Sequence, residues 1–246
     1  MFMNTHILNP YSEQFGHIAV ARTTLQREWL NWSVLWRRWL LRWRVRSGDI
    51  MKRAFDILGS IAFLIVFSPL YLVLALLVKL EDHGPAFFGQ TRVGRFGEKL
   101  QMHKFRSMRL NAEAEFEKLL AQNQHAEGVT FKMKNDPRIT RVGKWLRRFS
   151  LDELPQFFDV LKGGMSLVGP RPPTPREVSH YSPADRRRLA VKPGLTCFWQ
   201  VGGRSNIDFS GQVKLDVQYI ETAGLWVDVK LLLRTVRAVV GGNGAC

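Results

Sequence analysis

The run from Ile57 to Val78 constrains this chain more than any other stretch. It is apolar almost throughout, and about twenty apolar residues suffice for a helix to cross the hydrocarbon core of a bilayer. Two features argue against a simple crossing. Ser68-Pro69 falls near the middle, where proline removes a backbone donor and bends a helix. Both flanks are basic: Arg42, Arg44, Arg46, Lys52 and Arg53 precede the run, and Lys79, Arg92, Arg95 and Lys99 follow it. Positive charge on both sides holds both ends on the cytoplasmic side. A helix over residues 53–82, broken at a Ser68-Pro69 hinge, meets both constraints if it enters one leaflet and turns back. Ser68 can then occupy a carbonyl released by Pro69. A kinked transmembrane helix and a buried core helix are the alternatives.

Charge narrows the partner. A net charge of +15 and a pI of 10.4 call for an anion: nucleic acid, a lipid headgroup surface or a phosphorylated small substrate. A hydrophobic content of 46% excludes a disordered chain, and 246 residues suit one globular domain plus an appendage. Cys197 and Cys246 are the only cysteines and lie far apart, which argues against a disulfide framework or a cysteine metal site and fits a reducing, cytoplasm-facing setting. Residues 1–20 contain no apolar run, so no secretory signal is expected there.

Residues 1–49 read as an N-terminal extension. Within it Trp29, Trp32, Trp36, Trp39 and Trp43 are spaced three, four, three and four apart, which places them on one stripe of a helix over 24–46. Arg27, Arg37, Arg38, Arg42 and Arg44 lie mostly off the stripe. Such a helix suits a membrane interface. A seam on a partner helix, or stacking on nucleic acid, would use the same residues.

Residues 50–246 read as a second domain of α/β type, mostly helical, with few short strands beside the re-entrant helix hairpin. Short strands are expected after Gly84-Pro85 and over Lys99–Met108, the latter carrying Lys104 and Arg106. A helix over 111–124 is capped by Asn111, and a short basic helix covers Thr140–Arg148. A strand from Met165 ends in the proline-clamped loop Gly169-Pro170-Arg171-Pro172-Pro173, which reads as a stiff turn holding one arginine. Further on come a basic helix over 183–190, a strand over Leu195–Val201, a Gly202-Gly203-Arg204-Ser205 turn, and helices over Phe209–Thr222 and Val227–Val240. The last is amphipathic and interfacial in character.

The stretch Ser150-Leu151-Asp152-Glu153-Leu154-Pro155-Gln156, preceded by Arg147 and Arg148, carries two readings. Ser150 and Glu153 fit a capping box that starts a helix, with both carboxylates in its first turn. The same Asp-Glu pair can supply a nucleophile and a Mg²⁺ ligand beside phosphate-binding arginines such as Arg147 and Arg171. One carboxylate of Glu153 cannot fully serve both as cap and as metal ligand.

Lys104-Phe105-Arg106-Ser107-Met108, Ser150 to Gln156, Gly169-Pro170-Arg171-Pro172 and Lys192-Pro193-Gly194-Leu195-Thr196 followed by Trp199-Gln200-Val201 stand in an order that resembles the bacterial sugar transferases, the monotopic polyprenyl-phosphate phosphoglycosyl transferases. The resemblance covers about residues 50–246 and is closest to the small, catalytic-unit form of the family. It implies transfer of a sugar 1-phosphate from a UDP-sugar to undecaprenyl phosphate, with release of UMP, at the start of exopolysaccharide, capsule or O-antigen assembly. It implies that Asp152 is the nucleophile and forms a covalent phosphosugar intermediate. Glu153 would help to hold Mg²⁺; Arg147, Arg171, Lys104 and Arg106 would serve phosphate or substrate binding; Ser68 and Pro69 would be the membrane hinge. The implied setting is the cytoplasmic leaflet of the bacterial inner membrane, with no nucleic-acid partner; homo-oligomer formation is left open, as is the sugar. A basic, membrane-anchored scaffold or anion-binding protein without chemistry is the alternative function.

Overall fold

The computed structural model describes residues 48–119, 129–131, 133, 135–203 and 207–241. The Trp/Arg stretch lies outside them, as do Arg204 and Ser205 of the glycine turn. By its contacts the chain divides after Ile50, and the unit Met51–Cys246 opens on a helix that starts at Gly48.

That helix, α1 (Gly48–Val66), is followed by α2 (Ser68–Asp82) at a bend of 66°. The hinge has a local chemical cause. Pro69 has no N–H to give to the carbonyl four residues back, which is Ile65 O. Ser68 Oγ donates to that carbonyl at 2.9 Å, so the acceptor that Pro69 releases keeps a partner. No single helix among the described residues is long and apolar enough to cross a membrane; the bent pair meets the length and composition together.

The pair has two faces. Tyr71, Leu74 and Val78 are buried in the core with Met102, Phe105, Leu146, Val160 and Leu231. Leu58, Ile65, Val66, Leu72, Val73 and Leu76 stand exposed, Leu72 at 74%. A contiguous apolar face of this kind on a monomer marks an interaction surface.

Polar side chains tie the base of α1 to the rest. Lys52 Nζ donates to Asp228 Oδ2 at 2.6 Å and to Val168 O and Tyr219 OH at 3.2 Å each. Arg53 caps the far end of a later helix through Val160 O and Leu161 O, at 2.6 and 2.7 Å. Buried Asp56 accepts from Ser166 Oγ and Leu167 N, both at 3.0 Å. These are charge-assisted bonds in a water-poor setting, stronger than their exposed counterparts.

Strands β1 (Phe87–Val93) and β2 (Lys99–Phe105) pair antiparallel, with Phe88 opposite Lys104. Helices α3 (Ala112–Leu119) and α4 (Arg141–Arg148) follow, the latter capped by Thr140 Oγ1 accepting from Gly143 N. A 3₁₀ turn over Leu151–Glu153 leads to α5 (Gln156–Lys162), which ends on Gly163 in the left-handed conformation. Short β3 (Ser166–Val168) pairs parallel with β4 (Gly194–Thr196). Between them lie α6 (Pro175–Ser179) and a 3₁₀ segment, Asp185–Leu189. Helices α7 (Phe198–Gly202), α8 (Phe209–Thr222) and α9 (Leu225–Gly241) complete the unit.

The mostly helical class with few short strands is what the sequence predicts. Two local expectations are corrected. The strand over Leu195–Val201 breaks after Thr196, because Phe198–Gly202 form α7, whose Phe198 and Val201 pack against the main core. The basic helix over 183–190 is a tighter 3₁₀ segment. The helix expected over 111–124 is present over Ala112–Leu119, and its expected end lies outside the described residues.

β3 and β4 approach so closely that a Cβ on Gly194 would sit 2.0 Å from Gly169 N and 2.5 Å from Val168 C, both backbone atoms. Gly194→Ala is therefore expected to destabilise the unit by about 1–3 kcal/mol or more, as overpacking does. Thermal unfolding in detergent checks this; an unchanged midpoint would contradict the close approach.

Candidate active site

The residues that carry Asp152 and Glu153 do not form the expected cap. Ser150 adopts left-handed φ/ψ of 53° and 24°, and its side chain makes no capping bond. That conformation turns the chain sharply at the end of α4, and the two carboxylates fall in the 3₁₀ turn rather than in the first turn of α5, which starts at Gln156. The reciprocal capping box lies elsewhere, at Thr174 and Glu177 of α6. It has a plain local signal, Thr174-Pro175-Arg176-Glu177, that the sequence reading passes over.

Freed from capping, Glu153 turns toward cations. Its Oε1 accepts from Lys104 Nζ and from Arg171 Nη1, each at 2.9 Å. Lys104 comes from the end of β2 and Arg171 from the loop after β3. Burial alone would raise the Glu153 pKa, but the two cations outweigh it and hold the carboxyl far below the usual range. Arg171 gains from the same contact: burial works against its charge, and Glu153 more than compensates. Lys104 is shifted down, chiefly by burial.

Asp152 behaves differently. It is 5% exposed, and its Oδ2 lies 4.0 Å from Lys104 Nζ, beyond hydrogen-bond reach. Burial pushes its pKa up and the neighbouring Glu153 charge adds to this, while Lys104, Arg147 and Arg171 pull the other way without prevailing. The upward direction is the opposite of what the first turn of a helix does to a carboxylate. Arg147, on the last turn of α4, uses Nε on Ser107 Oγ at 3.0 Å. Three cations therefore surround two carboxylates of opposite character: one locked and charged, the other held without a hydrogen bond from its nearest cation.

Arg106 is not brought to this cluster. Its guanidinium pairs with Asp82 at the end of α2 and is buried beneath Gly84, where a Cβ would stand 2.1 Å from Nη1. It bears on the hairpin rather than on the dyad. Ser68 and Pro69 lie at the bend, as described. The hairpin does reach the dyad by another route: Tyr71 OH donates to Leu154 O, one residue past Glu153, and Phe63 stacks on Phe157 with centroids 3.9 Å apart. Tyr71 and Phe63 carry no sequence signal beyond being aromatic residues in an apolar run.

The opposed shifts have a direct test. Removing the Glu153 charge in Glu153→Gln also releases Lys104 and Arg171 toward Asp152, so the Asp152 carboxyl should titrate at lower pH than in the wild type. Lys104→Met removes the largest counter-influence, so Asp152 should titrate higher. Carboxyl ¹³C shifts followed against pH read both, and the reverse order would contradict the charge arrangement.

Residues 47–242 match the model of a protein family, the bacterial sugar transferases. The galactosyl transferase CpsE of Streptococcus agalactiae is 49% identical over 200 residues, 81% of this chain and 44% of that protein. The undecaprenyl-phosphate galactose phosphotransferase of Salmonella typhimurium is 45% identical over 203 residues, 81% of this chain and 42% of that protein. The chain thus spans less than half the length of these two relatives. The exopolysaccharide production protein ExoY of Rhizobium meliloti is 38% identical over 201 residues, 80% of this chain and 89% of that protein. A family model that covers most of the chain, and relatives at this level of identity, establish that it belongs to the bacterial sugar transferase family.

Proposed function

We propose that this protein transfers a sugar 1-phosphate from a UDP-sugar to undecaprenyl phosphate and releases UMP, with Asp152 as nucleophile. The observation that carries this reading is the cluster itself: a buried carboxylate without a hydrogen bond from its nearest cation, beside a second carboxylate fixed by Lys104 and Arg171. The relative named as an undecaprenyl-phosphate galactose phosphotransferase supports the substrate class.

The atoms balance in two steps. An Asp152 carboxylate oxygen attacks the phosphorus that bears the sugar, and the P–O bond to the UMP oxygen breaks. An oxygen of undecaprenyl phosphate then attacks the same phosphorus, and the bond to Asp152 breaks. The product is a diphosphate-linked sugar on the lipid. Splitting the transfer lets each phosphate visit the same arginines in turn. Arg171 and Arg147 suit phosphate oxygens, since guanidinium presents a planar fork of donors. A raised pKa makes the Asp152 carboxylate a better nucleophile once ionised. It also places an acidic limb on turnover, because the ionised fraction rises with pH.

Mg²⁺ fits the donor set. Among the described residues no group of three or more acidic, His or Cys side chains is gathered around one point. Mg²⁺ in phosphate sites uses one or two carboxylates together with substrate oxygens and water, and needs no such cage. Both bonds to Glu153 go to Oε1, so Glu153 Oε2 and Asp152 are the ligands it would take. Bound there it would shield the diphosphate from the carboxylates.

The exposed face of α1 and α2 suits one leaflet of the cytoplasmic membrane, with both helix ends and the cluster on the cytoplasmic side. The acceptor phosphate lies at the headgroup plane and need not cross. Tyr71 and Phe63, which connect the bent pair to the turn that bears Asp152, support this reading by keeping the cluster close to that face.

A panel of UDP-sugars, assayed with undecaprenyl phosphate and Mg²⁺, is expected to yield UMP with at least one donor; none across the panel would sink the reading. Asp152→Asn should abolish both UMP release and any labelled protein adduct. An adduct that persists in this variant would remove Asp152 as nucleophile. Single cysteines at Asp49→Cys and Glu98→Cys should both react with a membrane-impermeant reagent only from the cytoplasmic side. Labelling of Glu98→Cys from outside would turn the hairpin into a span.

A further inference from the structure

Arg92 lies on β1, outside the turn that bears the dyad, and no reading above gives it a role in the site. Its guanidinium is buried, with 9% of the residue exposed. Nε and Nη2 both donate to Gln90 Oε1, at 3.0 and 2.6 Å. Nη1 donates to Pro172 O at 3.2 Å. The next residue continues the contact: Val93 N donates to Pro173 O at 2.8 Å. From the other side Gly194 N donates to Pro170 O at 2.9 Å.

The loop so held is Pro170-Arg171-Pro172-Pro173. Its three prolines have no N–H, so its backbone can be hydrogen-bonded only through its carbonyls and the single N–H of Arg171. Three of its four carbonyls are taken by these bonds, two of them from β1. The side chain of the fourth residue, Arg171, reaches Glu153 Oε1 at 2.9 Å.

Arg92 is an expensive way to fasten a loop. Burial lowers its pKa to about 10, and the Arg171 charge nearby adds to the cost. A fork of donors in fixed geometry is what the expense supplies: Nε and Nη2 meet Gln90 side by side while Nη1 reaches Pro172 O, a rigid planar arrangement that the rotatable donors of an ammonium do not reproduce.

We propose that Arg92 is a positioning residue for Arg171: its guanidinium fork, held by Gln90, fixes the Pro170–Pro173 loop so that Arg171 stays on Glu153 and faces the substrate phosphates. The role depends on the fork rather than on the charge. It rests on the sugar-phosphate transfer reading above.

The test is a double-mutant cycle on the full chain in detergent or membrane. Arg92→Lys keeps the charge and loses the fork. Gln90→Met leaves Arg92 in place and removes the oxygen that orients it. Each is made alone and with Arg171→Ala, and UMP release is measured with a UDP-sugar that the wild type turns over, beside thermal unfolding. Each single change should lower kcat/KM by about 10- to 100-fold, the scale of a small misplacement of a binding group. In the Arg171→Ala background the same change should cost less than about threefold, because the residue it acts through is gone. Losses that multiply in full would overturn the proposal, since a merely structural role predicts that result. Wild-type kcat/KM in Arg92→Lys would overturn it too. If Arg92→Lys does not fold, the Gln90→Met cycle decides by the same criterion. A wild type that releases no UMP from any donor would instead contradict the transfer reading beneath it.

Discussion

The double contact on Glu153 Oε1 is the interaction on which the rest depends. Lys104 and Arg171 come from separate elements, the end of β2 and the loop after β3, and both close on one oxygen at 2.9 Å. An anion buried without partners would cost several kcal/mol and would be protonated instead. With two cations it stays charged. Asp152 has the opposite shift, first because it is buried without a hydrogen bond from its nearest cation and then because the Glu153 charge stands beside it. Two adjacent carboxylates thus acquire separate characters from burial and one arrangement of charges. Pairs pushed apart in this way are a recurring basis for division of labour in active sites.

The scaffold keeps that contact in register by tying every contributing element to another. Asp159 on α5 accepts from the His103 backbone at 2.8 Å and ring at 2.6 Å, which fixes β2 against the helix that follows the dyad. Arg53 at the base of α1 caps the same α5. Lys52, Tyr219 and Asp228 join α1, α8 and α9 around Val168 O at the end of β3. The bent pair is therefore more than an attachment device. One face is open and apolar, and the other grips the turn that carries Asp152 and Glu153 through Tyr71 and Phe63.

What the sequence could reveal divides by distance along the chain. The hinge was readable because its cause is local: Pro69 lacks a donor, and the adjacent Ser68 supplies one to Ile65 O. The helices over Arg141–Arg148, Phe209–Thr222 and Leu225–Gly241 were readable from caps and periodicity. The fate of Glu153 was not. Its S-x-x-E pattern predicts a cap, and what overrides the pattern is a pair of cations 49 and 18 residues away, together with the left-handed turn at Ser150. Arg106 shows the same limit: it shares a motif with Lys104, but its partner Asp82 stands at the end of the hairpin. Arg92 reads as one more basic flank residue until the carbonyl of Pro172 is seen against it.

The central claim is that Asp152 itself takes the sugar phosphate before the lipid does. Intact-protein mass spectrometry after incubation with a turned-over UDP-sugar and Mg²⁺, without lipid, tests this most directly. The arrangement at Asp152 and Glu153 predicts a mass increase equal to one sugar phosphate, mapped to the peptide containing Asp152 and lost when undecaprenyl phosphate is added. Turnover in the complete assay with no adduct trapped under any lipid-free condition, or an adduct mapped to another residue, would contradict it.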